Sequence, residues 1–262
     1  MGILDKKTRI VVKIGSNTLT HDTGKLDLRR MELLVRILSD FKNAGHEIVL
    51  VSSGAVAAGI ARLRLGRRPE STEEKQALAA IGQAELMQVY ENFFATYGYT
   101  VGQMLMTKDI IDNPERRTNA QNTFRELLKL GCVPIVNEND PISTEELKFG
   151  GNDTLSAYVA LVCGADLLIN MSDIDGLYDS DPRNNPDAKL ISRVEVIDDT
   201  VISYAGGAGS ERGTGGMITK IKAAQIVTDA GIPMLIVNGK NPEVLYRISD
   251  GEHIGTYFAA RR

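Results

Sequence analysis

What most constrains the fold is an alternation of short β-branched runs with segments whose apolar residues fall at helical spacing. Arg9-Ile10-Val11-Val12-Lys13-Ile14-Gly15 is such a run, apolar on both sides as a strand buried in a parallel sheet must be. Beyond it, Met31, Leu34, Leu38 and Phe41, joined by Leu33 and Ile37, form an i, i+3, i+4, i+7 stripe that stops at Gly45. That stripe is an amphipathic helix. Glu47-Ile48-Val49-Leu50-Val51-Ser52 is a second strand, and an Ala-rich helix follows Gly54 from Ala55. Strand, helix and strand in this order make the βαβ unit of a parallel sheet.

The alternation continues. Ser71-Thr72-Glu73-Glu74 has the pattern of a capping box opening a long helix to about residue 97. Strands are expected at 99–106, 133–136, 166–171 and 233–237, and helices at 119–130, 154–163, 217–230 and 242–248. No internal repeat or linker interrupts the chain. The pattern predicts an α/β fold, a three-layer αβα sandwich with a mostly parallel central sheet, as one domain over residues 1–262. The least regular stretches are 143–152, 178–187 and 204–216; long loops in a compact domain are usually functional.

Composition narrows the class. Lys and Arg number 30 against 34 Asp and Glu, a net charge of −4, which argues against a whole-surface nucleic-acid or membrane binder. No stretch reaches the 18 apolar residues needed to span a bilayer, and the start, Met1 to Lys7, has no apolar signal core. The two cysteines, Cys132 and Cys163, lie far apart in small or apolar surroundings and are expected as buried free thiols of a cytoplasmic protein. His21, His46 and His253 show no metal spacing and no nucleophilic partner.

In open α/β sheets, ligands bind beyond the carboxyl ends of the strands. Lys13 stands near the end of the first strand, where an unpaired buried ammonium is costly. It either snorkels to solvent or meets an anion, and Gly15 two residues later favours the anion. Gly54 would bring backbone amides and a helix N-terminus to the same end. The sharpest local signal is Gly213-Thr214-Gly215-Gly216-Met217-Ile218-Thr219-Lys220. There a glycine loop enters a helix with a lysine in its first turn, where the helix dipole disfavours a cation unless a phosphate sits beside it. It is not a Walker A loop, and the dinucleotide G-x-G-x-x-G fingerprint is absent. Asp153 either caps the helix that follows Gly150-Gly151 or, with Asp140 and Asn152, serves a small zwitterion, Mg²⁺ or lysine positioning. Asn152 has no evident structural duty. Two lysines and several carboxylates without a histidine fit phosphoryl transfer, which needs positioning and positive charge more than a strong nucleophile.

In combination these segments resemble the amino acid kinase family. The likeness is carried by Val12-Lys13-Ile14-Gly15-Ser16-Asn17, Val51-Ser52-Ser53-Gly54-Ala55-Val56-Ala57-Ala58-Gly59 and Asn137-Glu138-Asn139-Asp140. Lys148-Phe149-Gly150-Gly151-Asn152-Asp153, Ser172-Asp173-Ile174-Asp175-Gly176-Leu177-Tyr178 and Gly213 to Met217 follow in the same order. The second and third segments point to the members that phosphorylate glutamate. The resemblance implies a cytoplasmic, ATP- and Mg²⁺-dependent enzyme that phosphorylates the L-glutamate γ-carboxylate at the start of proline biosynthesis. It further implies proline as feedback inhibitor, a homodimer or homotetramer, and no membrane or nucleic-acid partner. Lys13, Lys220 and Asp153 would be catalytic, with Asp153 organising the lysines. Ser53, Gly54, Asp140 and Asn152 would bind glutamate; Lys13, Gly15, Ser172, Asp173, Thr214, Gly215, Gly216, Met217 and Lys220 the nucleotide. No protein ligand to the metal is implied. Residues 1–165 would form the glutamate half and 166–262 the nucleotide half, without the C-terminal PUA domain many bacterial members carry. Many members have Asp where this chain has Gly151. The alternatives are a kinase of this fold acting on acetylglutamate or UMP, and a non-catalytic amino-acid sensor.

Overall fold

The computed structural model describes residues 6–21, 23–143, 149, 151–205 and 216–261. Within them, strands β1 (Arg9–Ile14), β2 (Glu47–Ser52), β3 (Val101–Met106), β4 (Val133–Glu138), β5 (Leu167–Ser172), β6 (Arg193–Val194), β7 (Met234–Asn238) and β8 (Thr256–Phe258) form one sheet. Its order is β3-β4-β2-β1-β5-β7-β8-β6. All pairings are parallel except β7 with β8. The helices are α1 (Ser16–Leu19), α2 (Leu28–Asn43), α3 (Ala55–Arg62), α4 (Thr72–Thr96), α5 (Asp109–Asp112), α6 (Pro114–Lys129), α7 (Asn152–Cys163), α8 (Asp199–Ala205), α9 (Met217–Asp229) and α10 (Val244–Ser249). Residues before 165 thus build β1–β4, one side of the sheet, and later residues build β5–β8.

Side chains alternate along a strand, so each central strand supplies both layers. Val11, Val49, Val51, Val136, Leu168 and Ile236 pack under α6, α7 and α9. Ile10, Val12, Ile14, Ile48, Leu50, Ile135 and Ile169 pack under α2, α4 and α10. This is the three-layer αβα arrangement expected from the alternation, and it fixes the face on which every polar strand residue emerges.

The long helices end where their caps dictate. Ser71 accepts from the Glu74 amide at 3.1 Å and begins α4. The reciprocal half of the capping box is displaced by one residue, because Glu74 takes the amide of Glu70 and pairs with Arg67. The expected helix at 119–130 starts earlier, at Pro114, where Asn113 caps it. Strands β6 and β8 have two and three residues, too short to show any period, and gave no sequence signal. Cys163 is buried, whereas Cys132 is half-buried, correcting the expectation that both are enclosed; both thiols are free.

Helices α3 and α4 cross at glycines. A Cβ on Gly82 would lie 1.8 Å from the Ala55 carbonyl oxygen, and one on Gly59 would lie 2.1 Å from that of Leu78. Both obstacles are backbone, so nothing flexible can yield. Gly82→Ala is therefore expected to cost about 1–3 kcal/mol through overpacking, read as a fall in Tm of about 2–4 °C per kcal/mol. An unchanged Tm would show that the crossing relaxes.

Candidate active site

Strand parity brings the charged groups together. Lys13 is on the same face of β1 as Val11, beneath α7 and α9, and Asn170 of β5 is its register neighbour on that face. Asp153 comes down from the first turn of α7 and Lys220 from the first turn of α9. The Asp153 carboxylate meets Lys13 Nζ at 2.6 Å and Lys220 Nζ at 3.1 Å. Asn170 Nδ2 donates to its Oδ1 at 2.8 Å and the Thr219 hydroxyl to its Oδ2 at 2.8 Å. Lys13, Asp153 and Lys220 are only 6%, 3% and 4% exposed.

Two ammonium groups on one carboxylate carry a net positive charge in a poorly hydrated place. Burial pushes Lys13 below the ordinary lysine value; Asp153 opposes that, and Lys220 adds to it. Burial alone would raise the Asp153 carboxyl, but the two ammoniums override it and hold it well below the carboxylate range. Such a cluster attracts negative charge, and Asp173 already supplies part of it. The adjoining cavity gives an anion access to the cluster.

That cavity, about 1170 Å³, opens at the carboxyl ends of the strands. The starts of α3, α7 and α9 line it at Gly54, Gly151 and Gly216, and none of these caps carries a side-chain hydrogen bond to the helix amides. Uncapped N-termini aimed at one space favour anions. Gly54 adopts φ 102°, a left-handed turn that glycine allows cheaply between β2 and α3. At one end stand Ser53, Asp140 and Asn152; at the other, Ser172, Asp173, Tyr178 and Met217. Asp173 accepts from Asn17 Nδ2 at 3.2 Å and from the Ser172 hydroxyl at 3.2 Å.

Every expected site residue among those described lines this cavity: Lys13, Gly15, Ser53, Gly54, Asp140, Asn152, Asp153, Ser172, Asp173, Gly216, Met217 and Lys220. Thr214 and Gly215 lie outside the described residues. Two expectations need correction. Asp153 does not cap α7, because Gly151 is the cap and the carboxylate turns inward to the lysines. Asn152, far from lacking a structural duty, donates to Ser53 Oγ, the Ser52 carbonyl and Asn137 Oδ1 at 2.7, 2.9 and 3.0 Å.

Asn170 is not among the expected site residues, and Thr219 entered only as part of the segment that runs to Lys220. An amide inside Leu167-Leu168-Ile169-Asn170-Met171 is a visible signal, since an apolar strand admits a polar group only where it finds a partner. Thr219 carries no comparable signal. Among the described residues, no three of His, Cys, Asp and Glu come together as a metal site, and no helix is long and apolar enough to cross a membrane.

The model of the amino acid kinase family matches residues 8–238. The chain is 55% identical over 251 residues to the glutamate 5-kinase of Clostridium tetani, covering 96% of this chain and 94% of that protein. It is 51% identical over 263 residues to the glutamate 5-kinase of Clostridium perfringens, covering 99% and 98%. Among solved structures, an isopentenyl phosphate kinase superimposes with a TM-score of 0.66 at 18% identity, covering 96% of this chain and 100% of that one. That last likeness is one of fold.

Proposed function

The chain belongs to the amino acid kinase family, and from that premise we propose that it transfers the γ-phosphoryl group of ATP to the γ-carboxylate of L-glutamate. The product is L-glutamyl 5-phosphate, and the reaction opens proline biosynthesis. Relatives named glutamate 5-kinase share about half of its residues over nearly the whole chain. The observation that carries the chemistry is the buried Lys13–Asp153–Lys220 cluster under a cavity rimmed by three helix N-termini.

The acceptor carboxylate is ionised at neutral pH, so no general base is needed. Alignment of donor and acceptor and stabilisation of charge on the moving group are what remain. Lys13 and Lys220 supply that charge, and Asp153 keeps the two ammoniums close without letting either fold back over the cavity. Ser53, Gly54, Asp140 and Asn152 hold glutamate. Gly15, Ser172, Asp173, Gly216 and Met217, with Thr214 and Gly215, hold the nucleotide. Residues 1–165 thereby form the acceptor half and 166–262 the nucleotide half.

A divalent ion would enter with the nucleotide, since Mg²⁺ binds readily through phosphates and water. Mg²⁺ bound this way would neutralise charge on the nucleotide's phosphates. Proline inhibition, a homodimeric or homotetrameric assembly and a cytoplasmic location complete the proposal.

ATP turnover with L-glutamate, trapped as the hydroxamate, tests the assignment. Product with acetylglutamate or UMP but not glutamate would overturn it in favour of another acceptor, and no turnover with any acceptor would favour a sensor. A pH profile tests the role of Lys13. Its ammonium is lost below the ordinary lysine value of 10.5, so kcat/KM, which reports the free enzyme, is expected to fall on an alkaline limb below that pH. Lys13→Arg, always charged, removes the limb whatever it does to the maximum. A limb that survives in Lys13→Arg belongs to another group.

A further inference from the structure

Behind the acceptor end of the cavity runs a chain of amides. Asn137, at the end of β4, emerges on the α4 face, opposite to the lysine cluster, by the parity that buries Ile135 there. Its Nδ2 donates to Gln83 Oε1 of α4 at 2.9 Å. Asn137 Oδ1 accepts from the Glu138 backbone N–H at 2.9 Å and from Asn152 Nδ2 at 3.0 Å. Gln83 and Asn137 are buried, and Gln83 stands one side chain back from the cavity.

Two backbone groups settle which way each amide faces. The Glu138 N–H needs an acceptor, so Asn137 shows it oxygen. The Ser52 carbonyl needs a donor, so Asn152 shows it NH₂. Asn152 is then left with its carbonyl oxygen for a ligand. The remaining end of Asn137, its NH₂, has Gln83 as its acceptor. Gln83 is an odd choice on packing grounds, because its own Nε2 is buried without a partner, and a buried donor left unpaired is destabilising. The oxygen is what the position uses.

From this geometry we infer that Gln83 is a positioning residue: through Asn137 it holds the Asn152 amide with its carbonyl oxygen toward the acceptor, making the site selective for an acceptor bearing an α-ammonium group. Asn152 lines the same end of the cavity as the Asp140 carboxylate, and a carbonyl beside a carboxylate suits an ammonium donor. An apolar residue at 83 would leave the buried Asn137 NH₂ unpaired. Asn137 would then turn toward cavity water and withdraw its oxygen from Asn152. This inference rests on glutamate being the acceptor.

The test compares L-glutamate with glutarate, which lacks the amino group, at saturating ATP in the hydroxamate assay. Gln83→Met is expected to raise KM for glutamate about 10-fold, equivalent to about 1.4 kcal/mol. The values of kcat and of KM for ATP should stay within about twofold, and kcat/KM for glutarate should not change. Gln83→Glu keeps an oxygen toward Asn137 and should hold KM for glutamate within about threefold. If Gln83→Met does not fold, Gln83→Ala, which adds no bulk near the α3–α4 crossing, carries the same comparison. An unaltered KM for glutamate, equal losses with both acceptors, or an equal rise in Gln83→Glu would each overturn the inference. Lack of turnover of glutamate by the parent protein would instead refute the acceptor assignment.

Discussion

Lys220→Ala is expected to lower kcat/KM by at least about 100-fold, the order lost with one donor aimed at developing negative charge in a water-poor site. Stability should move in no such way. Removing one of two ammoniums leaves Lys13 paired with Asp153 at 2.6 Å, a neutral couple that strands no buried charge. The fold is therefore retained, and Tm stays within about 3 °C, the shift of roughly 1 kcal/mol in a chain of this size. Coupled ADP release and a thermal melt on the same preparation check both halves. Full activity in the variant would remove Lys220 from the reaction, and collapse of the fold would give it a structural role instead.

Asp153→Ala should do the opposite to stability. It strands two ammoniums in a site where each is about 5% exposed, and breaking a buried ion pair from one side costs about 3–5 kcal/mol. The pH dependence identifies the cause. Without its carboxylate Lys13 is pushed further below 10.5, so the folded state binds fewer protons than the unfolded state between that lowered value and 10.5. Stability of the variant consequently rises with pH across that window. ATP should also raise the variant's Tm more than the parent's, because the triphosphate supplies the missing negative charge. A variant equally destabilised at every pH and indifferent to ATP would point to lost packing rather than unpaired charge.

Much of this site is legible in the sequence because its parts break local rules. Lys13 interrupts an apolar strand, Lys220 sits where a helix dipole repels cations, and glycines precede three helices at the carboxyl ends of strands. Other parts obey local rules and so stay ambiguous or hidden. Asp153 reads locally as either a cap or a partner of the lysines, and it is the inward turn of its side chain from α7 that decides for the lysines. Gln83 reads as one more polar residue of a long helix. Its part depends on Asn137, more than 50 positions away, which no local pattern can announce.

The alternation of apolar strands with amphipathic helices, by itself, determined a parallel αβα sandwich, since strands buried on both faces and joined by helices have few other solutions. It also placed polar groups at the strand ends, where βαβ connections leave a cleft. Only the tertiary structure decided which of them meet. Side-chain parity and sheet order bring Lys13, Asn170, Asp153 and Lys220 to one point, and they turn Asn137 to the opposite face toward Gln83. Those contacts join residues from 17 positions apart, Asp153 and Asn170, to 157 apart, Lys13 and Asn170, and a long-range pairing is set by how the layers stack rather than by any local preference of the chain.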